Sequence, residues 1–185
     1  MPQVVHEFDW PDRVVVGTVG SPGARTFYLQ ARTGARSASV VLEKEQAALL
    51  AEKLDELLGE ITADPGTGIT VPAQTPAELL DDEPLDQPVE EEFRTGTLRL
   101  GWDPRTAQVV IEAYPLPEPR DDGELAFGEI DDEPDEVLLV RIPVGTARAF
   151  VQRTRQVVRA GRPACPFCGR PVDADGHVCA LPDDV

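Results

Sequence analysis

Apolar residues recur along the chain with two different periods, which predict strands and helices. Alternation with a period of two residues and β-branched runs predict strands. The six predicted strands are 13–20, 25–32, 36–42, 93–102, 107–114 and 137–142. Apolar steps of three and four residues predict two amphipathic helices, at 43–60 and 144–160.

The order of three strands followed by a helix occurs twice. The apolar stripes of the two helices also correspond at an offset of one hundred residues: Ala47 with Ala147, Leu50 with Phe150, and Leu54 with Thr154. One interpretation is a pair of degenerate β-β-β-α units, residues 4–61 and 93–160. The other is coincidence, because any two amphipathic helices show similar stripes.

The predicted fold class is α+β, with a mainly antiparallel sheet or barrel and both helices on one side. Residues 1–160 would form this domain, and residues 161–185 a separate metal-binding tail. Two segments rich in proline or acidic residues, 62–92 and 115–136, are predicted to be long loops. Loops of that length are usually functional or mobile.

Charge narrows the range of partners. The 185 residues include 34 Asp and Glu against 17 Lys and Arg, a formal net charge of -17. Such a surface repels phosphate backbones and anionic lipids, so nucleic-acid and membrane binding are disfavoured. With neither a targeting segment nor a membrane span apparent, we expect a cytoplasmic protein with reduced cysteines.

The tail carries the clearest chemical signal. Cys165, Cys168, His177 and Cys179 follow the spacing C-x2-C-x8-H-x-C. A C-x2-C turn brings two thiolates to one ion, and Gly169 directly after it permits a left-handed turn. Three thiolates and one imidazole complete a tetrahedral shell. The sequence therefore predicts one structural Zn²⁺ per chain.

Other interpretations of the same tail stay open. The spacing H-x-C is less usual than a second C-x2-C, so Asp173 or Asp175 could replace His177 or Cys179 as a ligand. The tetrapeptide Cys-Pro-Phe-Cys also resembles a glutaredoxin active site, in which a helix N-terminus lowers the pKa of the first thiol. A third possibility is ordinary reduced cysteines in a disordered tail.

Two further groups of residues are candidate surfaces. His6, Asp9, Trp10 and Arg13 lie close together in the sequence and could form an acid/base patch or a ligand pocket. The plainer reading is an N-terminal strand and turn held by its aromatic residues. In the acidic loop near the middle of the chain, apolar residues at 125, 127 and 130 would suit docking.

The second helix is rich in arginine, at Arg148, Arg153, Arg155 and Arg159, with Arg162 just beyond. These side chains could bind phosphate. They could equally pair with the acidic loops of the same chain or with a protein partner, and we favour pairing.

Three stretches carry a family resemblance: HEFDWPDR at 6–13, GTVG with RTFYLQAR at 17–32, and the segment from Gly161 to Cys179. Together they resemble an uncharacterised actinobacterial family, a domain of unknown function (number 3090). The resemblance implies the Cys/His metal motif. It also implies genes beside a phosphatase-like and a kinase-like protein, which are possible partners.

These observations favour a zinc-stapled, non-enzymatic interaction or regulatory protein. Motifs of common catalytic sites, such as G-x-S-x-G, H-E-x-x-H and the P-loop, do not occur in the sequence. An alternative is an enzyme or small-ligand-binding domain with a pocket near residues 6–13. A weaker alternative is nucleic-acid binding through the arginine-rich helix and the tail.

Overall fold

A computed structural model describes residues 3–117, 134–161, 165–172 and 176–179. Most of the acidic segment 115–136, including positions 125, 127 and 130, lies outside these ranges, as do Arg162, Asp173 and Asp175. The elements are β1 (Val4–Asp9), β2 (Arg13–Val19), β3 (Thr26–Thr33), β4 (Arg36–Leu42), α1 (Lys44–Ala63), β5 (Glu91–Asp103), β6 (Gln108–Pro115), β7 (Glu136–Pro143) and α2 (Val144–Arg159).

The seven strands of the described residues form one sheet, in the order β1-β7-β6-β5-β4-β3-β2. Strands β2, β3 and β4 form an antiparallel meander, and so do β5, β6 and β7. The two meanders join through a parallel pair, β4 with β5, and β1 adds in parallel to β7. The sheet is therefore mixed.

The predicted mainly antiparallel sheet or barrel is wrong, although the α+β class is right. The chain leaves β4 through α1 and a long connection, and this crossover returns β5 to the end at which β4 started, so the two strands run parallel. The seventh strand is β1, which the six-strand prediction did not count, although the plainer reading of residues 6–13 expected an N-terminal strand there. The sheet is also open, because β1 and β2 form its two edges and share no hydrogen-bonded ladder.

The open sheet is nevertheless strongly curled. Its two edge strands follow each other in the chain and are joined only by Trp10, Pro11 and Asp12. Such a link spans at most about 14 Å, whereas the edges of a flat seven-stranded sheet would lie about 29 Å apart. The link is held at both ends, by hydrogen bonds from Trp10 N to Arg141 O (3.1 Å) and from Asp12 N to Arg32 O (2.9 Å).

An arginine covers a backbone carbonyl on each edge strand. Arg36 donates to the carbonyl of Glu7 on β1, and its guanidinium lies 4.4 Å from the ring centre of Phe8. On the other edge, Arg153 of α2 donates from Nε to the carbonyl of Val16 on β2, at 3.0 Å. Helix α2 thus packs beside the edge strand β2 as well as on its own meander.

Both helices share one apolar core with the sheet, as their stripes predict. The buried members on the helices are Ala47, Leu50, Leu54, Leu58, Ile61, Ala147, Phe150 and Val151. Strand residues from β1 to β7 complete the cluster, for example Phe8, Leu29, Val40, Ile111 and Val140. Each meander is followed by its own helix, and descent of the two β-β-β-α units from a duplication stays a prediction.

The long connection before β5 is fixed to the sheet around residues 81–86, a segment called the strap below. Leu85 is buried against Gly17 on β2. The buried Gln30 on β3 binds both backbone groups of Asp86, donating to its carbonyl at 3.1 Å and accepting from its N–H at 2.8 Å. The predicted loop is therefore held in place here by specific contacts.

Among the helices of the described residues, none combines the length and the apolar character needed to cross a membrane.

Candidate metal centre

A tight turn presents the first two cysteines of the tail. The N–H of Gly169 donates to the carbonyl of Cys165 at 2.9 Å, and the N–H of Cys165 donates to the carbonyl of Arg170 at 2.8 Å. Gly169 has φ +70, in the left-handed region that glycine adopts without strain. The N–H of Phe167 lies 3.4 Å from the sulfur of Cys165, so the turn also supplies a donor to a thiolate.

The return segment brings the other two donors to the same point. Sγ of Cys168 lies 3.2 Å from Nε2 of His177, and the sulfurs of Cys165 and Cys179 are 3.9 Å apart. All four donor atoms lie within 4.8 Å of one another. Donors on a tetrahedral zinc, with bonds of about 2.0–2.3 Å, are separated by about 3.3–3.8 Å. The predicted four ligands are thus brought together, and this Cys3His group could bind a metal ion.

Electrostatics within the group fit a cation at its centre. Backbone N–H groups of Cys168 and Phe167 lower the pKa of Cys165, because they stabilise its thiolate. Partial desolvation, with the neighbouring thiols of Cys168 and Cys165, raises the pKa of Cys179 to about 11. Without a cation, Cys165 and Cys168 oppose the ionisation of Cys179, and a bound metal ion removes that opposition.

The thiol-redox interpretation lacks its main structural requirement. The segment from Cys165 to Arg170 is a turn rather than the first turn of a helix, so the described residues of the motif do not form the helix N-terminus that lowers the first thiol's pKa in glutaredoxin-like sites. The three cysteines are free thiols, and one more donor, the imidazole of His177, completes the group.

A family model described as "Protein of unknown function (DUF3090)" matches residues 6–179, nearly the whole chain. The chain belongs to this family. Comparisons of this DUF3090 chain with curated proteins and with solved structures gave no match.

The N-terminal group of this DUF3090 chain is dispersed. His6 binds Glu136, with 2.6 Å between Nε2 and Oε1. Asp9 accepts from the buried Gln108 at 2.8 Å. Trp10, at φ +52, is more than half exposed in the link between the edge strands. The side chains of His6 and Asp9 thus bind different partners on different strands.

Arg13 has a third set of partners, on the strap. It forms a two-point ion pair with Asp81, at 2.6 and 2.9 Å, and a second pair with Asp86 at 3.2 Å. A shallow groove of about 510 Å³ adjoins it, lined by Asp12, Arg32 and strap residues. His6, Asp9 and Trp10 do not line that groove.

Most of the arginine-rich face of α2 is paired inside the chain. Arg148 and Arg155 both bind the carboxylate of Asp55 on α1. Arg153 binds Asp81 and the carbonyl of Glu83 on the strap. Within the described part of the chain, Arg159 forms no ion pair, and it lines a groove of about 520 Å³ with Thr75, Gln152 and others.

Sequence reasoning missed one group of residues, because only the fold brings it together. Glu92 and Glu136 lie beside His6, although 86 and 130 residues separate them from it (92 − 6 and 136 − 6). Their positions in separate acidic stretches carried no signal of proximity.

Proposed function

We propose that this protein is a zinc-stapled, non-enzymatic interaction or regulatory protein. The observation that supports this role is the Cys3His group, in which four protein donors lie within 4.8 Å of one another. Four protein ligands fill a tetrahedral shell and leave no position for a substrate, as is typical of structural zinc sites.

Zinc is the ion that this donor set favours. Thiolates together with an imidazole in a tetrahedral arrangement suit Zn²⁺, whereas Mg²⁺, Ca²⁺ and Mn²⁺ prefer oxygen ligands. The tail also needs the ion in order to fold, because Phe167 and Val178 point away from any core. Their exposed fractions are 77% and 93%. Metal binding would therefore supply the folding free energy of the tail.

The exposure of Phe167 and Val178 also indicates a role for the zinc-bound tail, which is docking to a partner. Two large apolar side chains in a short metal-bound segment offer a rigid docking surface, which is unfavourable in water unless a partner covers it. A protein partner fits this surface best. The phosphatase-like and kinase-like proteins implied by the family resemblance are the first partners to test.

The alternative functions receive less support. An enzyme pocket at the N-terminus would need His6, Asp9 and Arg13 to face one cavity, and their side chains bind three separate partners. Nucleic-acid binding through α2 would need free arginines, and Arg148, Arg153 and Arg155 are paired with aspartates. The net charge of -17 also opposes binding to phosphate backbones.

Elemental analysis of the purified, reduced protein tests the zinc staple. We expect zinc in the wild type and about one ion fewer per chain in Cys168→Ser, because one tetrahedral ligand is lost. Phe167→Ala is the matched control: it removes an exposed side chain between two ligands, so zinc content should not change. Absence of zinc from freshly reduced wild type would overturn the proposal.

The same pair of variants separates the metal from the docking role. If Phe167 belongs to the partner surface, Phe167→Ala should keep its zinc and lose affinity for the partner. Cys168→Ser should lose both. Binding of the phosphatase-like or kinase-like neighbour, measured by calorimetry with each variant, would show whether the apolar tip is the contact.

A further inference from the structure

Three strands begin at the same end of the sheet, and each brings a potential metal ligand to one point. Strands β1, β5 and β7 run in the same direction, because β1 is parallel to β7 and β6 is antiparallel to both β5 and β7. His6 is near the start of β1, Glu92 near the start of β5, and Glu136 is the first residue of β7. Their ligand atoms all lie within 4.8 Å of one another.

A hydrogen bond accounts for only one of the two carboxylates. Nε2 of His6 is 2.6 Å from Oε1 of Glu136, a good hydrogen bond, but 3.9 Å from Oε2 of Glu92, which is too far for one. A ring nitrogen carries at most one proton, so it donates to one carboxylate at a time. Glu92 approaches the imidazole without a hydrogen bond to it.

Within the described ranges, neither glutamate forms an ion pair with a lysine or an arginine. The imidazole of His6 is the one group in these ranges with which they make an ion-pair contact. Two carboxylates this close repel each other, and the chain as a whole is already strongly acidic. The side chains of His6, Glu92 and Glu136 are about one fifth to one third exposed, so water screens the repulsion only partly. A bound cation would neutralise it.

We propose that His6, Glu92 and Glu136 form a second metal site, which binds a divalent first-row transition-metal ion. Imidazole suits ions such as Zn²⁺ and Fe²⁺, and carboxylates suit Mn²⁺ as well, so this mixed set belongs to the class of thiol-free transition-metal sites. Its donors differ from those of the tail, and it lies on the sheet.

Small side-chain movements would complete the coordination. Metal bonds of about 2.0–2.2 Å place neighbouring donors about 3.0–3.5 Å apart. Binding would lengthen the 2.6 Å separation of His6 and Glu136 and shorten the 3.9 Å separation of His6 and Glu92. Three protein ligands leave further positions for water or a small anionic ligand, unlike the closed Cys3His group.

Titration of the full-length, zinc-loaded protein with Mn²⁺ tests the proposal. Mn²⁺ favours oxygen and nitrogen donors over thiolates, so it reports on this group rather than on the tail. In an NMR experiment, we expect Mn²⁺ to broaden first the amide signals at the starts of β1, β5 and β7. Glu92→Gln should weaken Mn²⁺ binding at least about tenfold, because it removes a charged ligand while preserving shape.

Glu91→Gln is the matched control, since Glu91 is the exposed neighbour on the same strand and forms no ion pair within the described residues. It should bind Mn²⁺ as the wild type does. Equal weakening by Glu91→Gln and Glu92→Gln would mean attraction to a generally acidic surface and would overturn the proposal. His6→Gln is the second variant: unchanged affinity in it, with thermal unfolding confirming its fold, would also overturn the site.

Discussion

At the scale of single residues, Gly17 decides how closely the strap approaches the sheet. A methyl group added at this position would lie 2.6 Å from Cγ and Cδ2 of Leu85, well inside van der Waals contact. Leu85 is almost fully buried there. The glycine within the β-branched run RVVVGTV is therefore explained by the space that Leu85 occupies above the strand. An unusual backbone angle is not the reason.

Gly17→Ala should destabilise the fold. We expect a loss of about 1–3 kcal/mol in the free energy of unfolding, because Leu85 must leave its position to avoid the new methyl group. Urea unfolding, monitored by circular dichroism, measures this free energy of unfolding. Gly101→Ala is the control in another strand, where the nearest atom to an added methyl lies 4.0 Å away, so its effect should be small. Truncation of Leu85 in the same chain should relieve much of the cost, and a purely additive double variant would contradict this account.

At the scale of elements, two arginines from different parts of the fold hold the strap. Arg13 on β2 and Arg153 on α2 both bind Asp81, and Arg153 also reaches the carbonyls of Asp81 and Glu83. The hydrogen bond from Arg13 lowers the pKa of Asp81 against the opposing effect of burial, and the charge of Arg153 adds to the lowering. The ion pairs thus connect a strand, a helix and a loop.

Asp81→Asn should destabilise the protein in a pH-dependent way. The folded-state pKa of Asp81 lies below its unfolded value, so its stabilisation is present above about pH 4–5 and is lost as pH falls through the folded-state pKa. At pH 7 we expect Asp81→Asn to cost about 1–3 kcal/mol. The difference from wild type should shrink toward pH 3, as measured by urea unfolding at each pH.

Asp82→Asn provides the comparison for this experiment. Asp82 is the exposed neighbour of Asp81 and forms no ion pair in the described ranges, so its replacement should change stability by less than about 0.5 kcal/mol. If the two variants lost the same stability, or if the loss in Asp81→Asn were independent of pH, the ion pairs would not hold the strap.

The elements themselves could be predicted from the sequence because their signals are local. Leu50, Leu54 and Leu58 repeat at the helical period within one segment, and the structure buries all three. The spacing from Cys165 to Cys179 likewise predicted which four side chains would meet. Both signals depend on residues that are close in the chain.

The pairing of elements could not be predicted in the same way. β1 lies beside β7, with Val4 opposite Glu136, and nothing in the sequence of either segment indicates that it pairs with the other. The parallel pair of β4 and β5 likewise depends on how a long connection returns. The neighbours of His6 were missed for the same reason. The topology of the sheet brings together residues that are far apart in sequence, and local periodicity contains no information about that topology.

At the scale of the whole molecule, the two β-β-β-α halves share one core while the metal centre stands outside it. Helices α1 and α2 pack against each other and contribute to the same apolar cluster as all seven strands. None of the described residues from 165 to 179 belongs to that cluster, although Cys165 itself is buried. The core and the tail with its proposed metal ion should therefore depend on different interactions.

Removal of the tail metal should leave the core folded. If the Cys3His group holds the proposed zinc, chelation under reducing conditions should move the midpoint of the main thermal transition by less than about 2 °C, since the core keeps its buried area. NMR signals of the tail should lose their dispersion at the same time, because in this proposal the metal supplies the folding free energy of the tail. A fall of the main midpoint by more than about 5 °C would show that the tail supports the core.

The arginines on the two edge strands also bear on self-association. The edge of an open sheet presents unpaired backbone groups to which a strand of another molecule can add, and such addition leads to fibrils and other aggregates. In this protein Arg36 occupies the carbonyl of Glu7 on one edge, and Arg153 occupies the carbonyl of Val16 on the other. An incoming strand would have to displace a guanidinium at either edge, which opposes the addition of a strand at these two carbonyls.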